Sequence, residues 1–324
     1  MALLRDRGLT LGRWAVRPVA RLQKDSGDPA VPRVRKAAAA ADWSTVRELL
    51  EACPESGNRV ELLWAVADTP GVERWIAPVL EADPDAPLPR LVAAIRHISW
   101  GWEARTAALA RHVSREQFET FHARLRTAET WLYEVAEREP GWTSPWYGLQ
   151  VTGRGLQVGQ AVARRRFEAT VRRDPHHPGA HHQRLQQVCD KWGGSHEEMH
   201  AFARQAALEA PPGTLLGGLV ATAHIEHWLA LDDGEDAAYM RLPRVTESLR
   251  EAADHSVLHP DFVREGSWVA ALNTFAMAFS LAGDRDYARE CFRATEGRVS
   301  ESPWNYLGGY PVAAYRKHRF SAGR

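Results

Sequence analysis

Apolar positions recur along most of the chain at spacings of three and four residues, which is the pattern of amphipathic helices. Within the alanine-rich stretch 33–52, Asp42 has the position of an N-cap, so we expect two helices joined there rather than one. Further helices are predicted over 58–67 and 72–80. Alternating β-branched residues, the mark of a half-buried strand, are almost absent. The pattern predicts an all-α fold.

A longer pattern is superimposed on these helices. A small or apolar residue is followed by an apolar residue one turn later and then by a proline, and the prolines lie 35 and 36 residues apart. A small residue lets two helices approach closely, and proline ends a helix, as in tetratricopeptide repeats. We therefore predict a tetratricopeptide-like helix-turn-helix repeat solenoid. The three sets are Ala128, Leu132 and Pro140; Ala163, Phe167 and Pro175; and Met199, Ala203 and Pro211, with a fourth unit around Ala288 and Phe292.

The N-terminal segment differs from the rest in charge and in turn content. Residues 1–36 contain nine Lys and Arg against three Asp, and a stretch rich in Asp, Gly and Pro ends at Pro32. Such a stretch is typical of a linker. The predicted regions are a basic N-terminal arm and linker over 1–32 and a helical-repeat domain over 33–320, whose clearest repeats are 115–212 and 267–300.

Overall composition narrows the class of protein. Lys plus Arg equals Asp plus Glu at 41 each, so the net charge argues against a nucleic-acid partner. Cys53, Cys189 and Cys291 are widely separated and odd in number, which gives no disulfide framework and fits a reducing compartment. No stretch approaches the roughly 18 apolar residues that a membrane span needs. We expect a cytoplasmic protein without a membrane span.

Two short segments carry a resemblance. Trp-Glu-Ala-Arg at 102–105, and Lys-Trp-Gly-Gly-Ser at 191–195 after helices that end in Glu-Pro and Asp-Pro, resemble a bacterial family of helical-repeat proteins. That family has a Lys-Trp-Gly-Gly-Ser element in a turn between helices. The resemblance covers roughly residues 95–232, and it implies a tetratricopeptide-like fold but no activity.

The same five residues can be interpreted from their chemistry. An apolar stripe ends at Trp192, which predicts that its ring packs inward and closes the helix. Gly193 and Gly194 supply a left-handed turn, and Ser195 is then the N-cap of the next helix. Only Lys191 is left, either as an anion contact or as a solvated charge.

The repeats favour a protein- or peptide-binding scaffold, because stacked repeats form a concave surface lined by the first helix of each unit. The 13 tryptophans are explained by core packing, or alternatively by an aromatic-lined groove. We expect a protein or peptide partner and no enzymatic activity. The groove candidates are Trp142, Trp146, Tyr147, Arg154, His182 and Lys191.

One motif supports an alternative, a metal-dependent enzyme of hydrolytic or oxidative type. His196 and His200 in His-Glu-Glu-Met-His share a helical face and could bind Zn or Fe, with Glu197 as general base. Against it, Met199 has a core position in the repeat register, and a helix N-terminus disfavours a cation beside His196. We therefore expect no cofactor in the favoured scaffold. The alternative needs a further ligand from His224, Glu226 or His227.

Overall fold

The computed structural model describes residues 19–323 except 24, 26, 55–57 and 107–111. In this part of the chain sixteen α-helices account for nearly all regular structure, which confirms the all-α prediction. No described helix is long and apolar enough to cross a membrane. The helices of the first half are α1 (Ala30–Ala39), α2 (Trp43–Glu51), α3 (Asn58–Ala67), α4 (Val72–Ala82), α5 (Pro87–Arg105), α6 (Arg115–Arg138) and α7 (Ser144–Gly155).

The predicted break at Asp42, between α1 and α2, is confirmed. The Asp42 carboxylate accepts a hydrogen bond from the Thr45 amide at 3.1 Å and caps α2.

The second half continues the helical array. The remaining helices are α8 (Gln160–Val171), α9 (Pro178–Val188), α10 (His196–Glu209), α11 (Gly218–Leu229), α12 (Glu235–Met240), α13 (Pro243–His255), α14 (Trp268–Ala282), α15 (Arg285–Ala294) and α16 (Pro311–Ala322).

Two layers are visible in the contacts between helices. Helices α7, α9, α11 and α14 form a continuous row in which each helix contacts the next. Helix α8 packs on α7 and α9, α10 on α9 and α11, and α13 on α11 and α14. This helix row, α7–α9–α11–α14, positions the side chains of the candidate site.

The proline-ended pattern marks buried positions. Ala128, Ala163 and Met199, the small or apolar residues of the three sets, are all buried. The three prolines lie just beyond the ends of α6, α8 and α10. The pattern therefore marks where a helix packs on its neighbour and where it ends, because only a small or well-fitting side chain is accommodated at such a contact.

The buried apolar residues form two cores. One joins α1 to α7 and contains Val34, Leu91 and Leu125, and the other joins α9 to α16 and contains Met199 and Phe275. Polar side chains lie between the two cores, where α6, α7 and α8 meet. There Arg166 Nη1 donates to Glu129 at 2.6 Å and to the Leu149 carbonyl at 2.7 Å.

The N-terminal segment connects these two cores. Strand β1 (Arg21–Leu22) pairs in parallel with strand β2 (Arg298–Val299), and Ala20 is buried in the second core. Helix α1, in the first core, begins at Ala30, which is before the predicted domain start at 33. The segment from Ala20 to Ala30 spans at most about 35 Å, so the start of α1 lies within that distance of the second core. The rest of the predicted basic arm, 1–18, lies outside the described residues.

Candidate functional site

Two neighbouring depressions lie along the helix row. The first, which we call the α11 depression, has a volume of about 380 Å³ and lies between α9, α11 and α14. The second, the turn depression, has a volume of about 360 Å³ and lies between the end of α7, the start of α8 and the turn after α9. His182 and Glu226 line the α11 depression, and Arg154 and Lys191 line the turn depression.

An ion pair joins the two depressions. Lys191 Nζ lies 2.7 Å from Glu226 Oε2, with the lysine half-exposed and the glutamate buried. Glu226 also accepts a hydrogen bond from the Gln186 amide at 2.7 Å. The two depressions therefore form one continuous surface, which we call the recess.

Arg154 is the least compensated charge in the recess. Its Nε is buried without a hydrogen-bond partner, and the guanidinium forms no hydrogen bond or ion pair with the residues the structure describes. The Trp102 ring lies 5.5 Å from the guanidinium carbon. Burial lowers the pKa of Arg154 and the positive charge of Arg105 adds to this effect, whereas Tyr147 and the Glu226 carboxylate act in the opposite direction. Arginine nevertheless stays protonated, so a positive charge that no described carboxylate contacts directly lies in the recess.

His182 lines the α11 depression, whereas Tyr147 lines neither depression and packs against the His177 ring at 4.9 Å. More than a third of His182 is exposed, yet burial by the surrounding protein lowers its pKa, and Arg154 lowers it further. A side chain that is exposed to solvent but surrounded by many protein atoms lies in a concave part of the surface. This explains both the exposure of His182 and its lowered pKa. Burial raises the pKa of Tyr147, whose hydroxyl hydrogen-bonds with Gln183.

The other two groove candidates lie elsewhere. The Trp142 ring stacks under the Arg59 guanidinium at 4.5 Å and faces a separate depression beside α2 and α4. Trp146 packs edge-on against Tyr133 at 6.4 Å and under Arg173 at 5.1 Å. The structure thus brings together Arg154, His182 and Lys191, and places Tyr147 and both tryptophans outside the recess.

The turn after α9 differs from the prediction in one respect. Trp192 was predicted to pack inward, and this is wrong: 37% of its surface is exposed, at the edge of the turn depression. The reason is that α9 ends at Val188 and Cys189 is extended, so the helical stripe does not continue to position 192. Gly193 is left-handed at φ 85°, and Ser195 caps α10, as predicted.

Two residues that were not groove candidates, Gln160 and Glu226, also belong to the recess. Gln160 Nε2 donates to the Gln187 carbonyl at 2.6 Å and to the Trp192 carbonyl at 3.2 Å, which holds the turn against α8. Their role depends on packing between elements distant in sequence, and no local pattern indicates it.

Comparison of the chain with protein-family models and with curated proteins found no match. The resemblance carried by the Lys-Trp-Gly-Gly-Ser element therefore stays an expectation. Inferences about function therefore depend on the geometry of the recess and of the helix row.

A second group of side chains, which we call the histidine cluster, lies between α10, α11 and α12. His200 Nε2 is 3.1 Å from His227 Nδ1 and 3.2 Å from the Tyr239 hydroxyl. The same hydroxyl is 2.7 Å from His224 Nδ1, and His224 Nε2 is 3.2 Å from Ser248 Oγ. The two His pairs on α10 and α11 were visible in the sequence, but Tyr239 was not among the candidates.

The histidine cluster is uncharged at neutral pH. Burial, reinforced by neighbouring histidines, lowers the pKa of His200 to about 4 and that of His224 to about 3. Burial and the nearby His196 lower the pKa of His227 to about 4. Neutral imidazoles satisfy the short contacts because each ring has one donor and one acceptor nitrogen.

The other residues of the predicted metal site, His196, Glu197 and Glu226, do not point at a common centre with the histidine cluster. The His196 and His227 rings are parallel within 2° at 4.0 Å, and a metal binds in the plane of an imidazole, so these two rings do not point at one ion. Glu226 faces the recess instead, and Glu197 is exposed. Among the described residues, no group of three or more His, Cys, Asp and Glu is arranged to hold a metal ion.

Proposed function

We propose that this protein is a cytoplasmic, tetratricopeptide-like helical-repeat scaffold that binds a peptide segment of a protein partner in the recess. The observation that supports this most is the recess itself, in which Arg154 forms no ion pair with the described residues and His182 and Trp192 are exposed. Exposed aromatic and cationic groups in a concavity are typical of binding surfaces.

The dimensions of the helix row favour an extended segment. Helices pack about 8–10 Å apart, so crossing from α7 to α14 spans about 25–30 Å. An extended peptide rises about 3.3 Å per residue, so roughly seven to nine residues cover this distance. A segment of this length would contact both depressions.

A display selection tests this proposal. Wild-type protein is screened against a random peptide library of about twelve residues, and we expect binders that compete with one another for one site. Ala271 lines the α11 depression, so Ala271→Phe should lower the affinity of these binders at least about tenfold by filling it.

Ala201, exposed on α10, provides the matched control, and Ala201→Phe should leave the affinity unchanged. Failure to select any peptide, or binding that survives Ala271→Phe, would contradict the scaffold proposal.

Metal-dependent chemistry at the histidine cluster is a second candidate, favoured by the 3.1 Å approach of His200 Nε2 and His227 Nδ1. Two nitrogens on one tetrahedral zinc lie roughly 3.4 Å apart, so this pair could supply two of the ligands that a Zn or Fe needs. The test is the metal content of protein purified without a His tag, for wild type, His200→Ala and the exposed control His176→Ala. Stoichiometric metal lost only in His200→Ala supports this candidate, and substoichiometric metal in all three ends it.

A further inference from the structure

Arg154 differs from Arg96 and Arg166, two other arginines inside the array, in forming no direct ion pair with a carboxylate of the described residues. Arg96 is paired with Glu73 at 2.9 Å and Glu103 at 2.6 Å, and Arg166 with Glu129 at 2.6 Å. Removing a charge from water costs free energy that a counter-ion normally offsets. At Arg154 no described carboxylate forms an ion pair, so this cost is offset only by the Trp102 ring and by the more distant Glu226 carboxylate.

The lining of the turn depression matches this excess of positive charge. It contains the cations Arg154 and Lys191 and no carboxylate from the described part of the chain. Glu226, which lies beyond it, neutralises Lys191, so one positive charge is left for an incoming group. One carboxylate on an incoming ligand would neutralise this remaining positive charge.

Two further groups in the depression suit a peptide. Gln187 lines the depression, and its buried Oε1 is an acceptor with no hydrogen-bond donor among the described residues. The exposed ring of Trp192 offers apolar surface at the rim of the depression. The depression therefore presents a cation, an acceptor and an aromatic face close together.

We propose that the turn depression binds an Asp or Glu side chain of the docked segment, with the Arg154 guanidinium donating to its carboxylate. This inference rests on the proposed scaffold function and names the chemistry of the partner: an acidic peptide segment. The Lys-Trp-Gly-Gly-Ser turn forms the wall of this subsite, with Lys191 held off the ligand by Glu226.

The experiment extends the display selection to wild type, Arg154→Gln and the control Arg164→Gln, which removes an exposed charge from the adjacent helix. We expect Asp or Glu to be enriched at one peptide position with wild type and Arg164→Gln, and not with Arg154→Gln. Arg154→Lys keeps the charge and should keep the acidic preference, which separates loss of charge from loss of folding.

Selected peptides are then synthesised with amidated C-termini and titrated by calorimetry. Replacing the enriched Glu by Gln should weaken binding about 10- to 100-fold with wild type and less than about threefold with Arg154→Gln. Equal losses with both proteins, no acidic enrichment, or binding that needs a free C-terminus would overturn the inference while leaving the scaffold proposal standing. Failure to select any peptide would instead overturn the scaffold proposal itself.

Discussion

Arg96, Arg154 and Arg166 all place a guanidinium in or near the interior, yet only two of them meet a carboxylate of the described chain. A paired buried charge is stabilised by its partner, and removing one member strands the other. An unpaired one contributes no such interaction. This difference at the scale of single residues distinguishes structural arginines from the one we assign to ligand binding.

Substitution by methionine should affect stability differently at Arg166 and at Arg154. Arg166→Met leaves the Glu129 carboxylate without its partner, so we expect the free energy of unfolding to fall by about 3–5 kcal/mol. Arg154→Met removes an uncompensated charge and should change it by less than about 1 kcal/mol, or raise it. Urea denaturation measures both. A large loss with Arg154→Met would show that Arg154 has a structural role.

The histidine cluster makes stability depend on pH. His200 is protonated near pH 4 in the folded protein and near pH 6.5 when unfolded, so between these values the unfolded state binds more protons. The free energy of unfolding therefore falls as pH is lowered from about 6.5 towards 4.

Urea denaturation at about pH 7 and about pH 5, on either side of the unfolded-state pKa, measures this fall. It should be smaller in His200→Gln, and the same as in wild type for the exposed control His176→Gln. An equally large fall in His200→Gln would contradict the lowered pKa.

At the scale of elements, the turn between α9 and α10 determines what the recess presents. Gly194 lies so close to α9 that a Cβ there would overlap the Val188 carbonyl group. Gln160 holds the same turn from α8. Together these contacts fix Lys191 and Trp192 at the turn depression.

Gly194→Ala should destabilise this turn by about 3 kcal/mol, because the clash is with backbone and no side chain can move away. At Gly141, in the turn between α6 and α7, no atom of the described residues other than its own chain neighbours lies within 4 Å of the place that an alanine methyl group would occupy. Gly141→Ala should therefore cost little. Thermal denaturation of the two variants checks this prediction, which fails if both melt at the wild-type temperature.

At the scale of the whole molecule, two apolar cores are connected by the chain's N-terminal segment as well as by the helix row. Ala20 is buried in the second core, and its carbonyl accepts a hydrogen bond from Arg316 Nη2 at 3.2 Å. The pairing of β1 with β2 therefore anchors the start of the described chain to its last helices.

Ala20→Glu should lower the free energy of unfolding by about 2 kcal/mol or more, because it buries a carboxylate in an apolar core. Val19 is 77% exposed, so Val19→Glu is the matched control and should have little effect. Chemical denaturation monitored by tryptophan fluorescence distinguishes them. Equal stability of both variants would show that the segment does not anchor the C-terminal helices.

The sequence by itself determined the features that depend on local periodicity. Helices α1 to α4, the break at Asp42, the buried positions Ala128 and Met199, and the cap at Ser195 all follow from spacing, helix signals or turn chemistry within a few residues. Such signals are local because backbone hydrogen bonding and burial repeat every turn.

Only the tertiary structure decided which chemically active residues meet. It separated Trp142 and Trp146 from the recess, brought Tyr239 to the histidines and left Arg154 without a carboxylate from the described residues. It also paired the N-terminal segment with β2, far along the chain. These outcomes depend on how helices distant in sequence pack and on where each charge finds a partner, and a single sequence does not encode either as a local pattern.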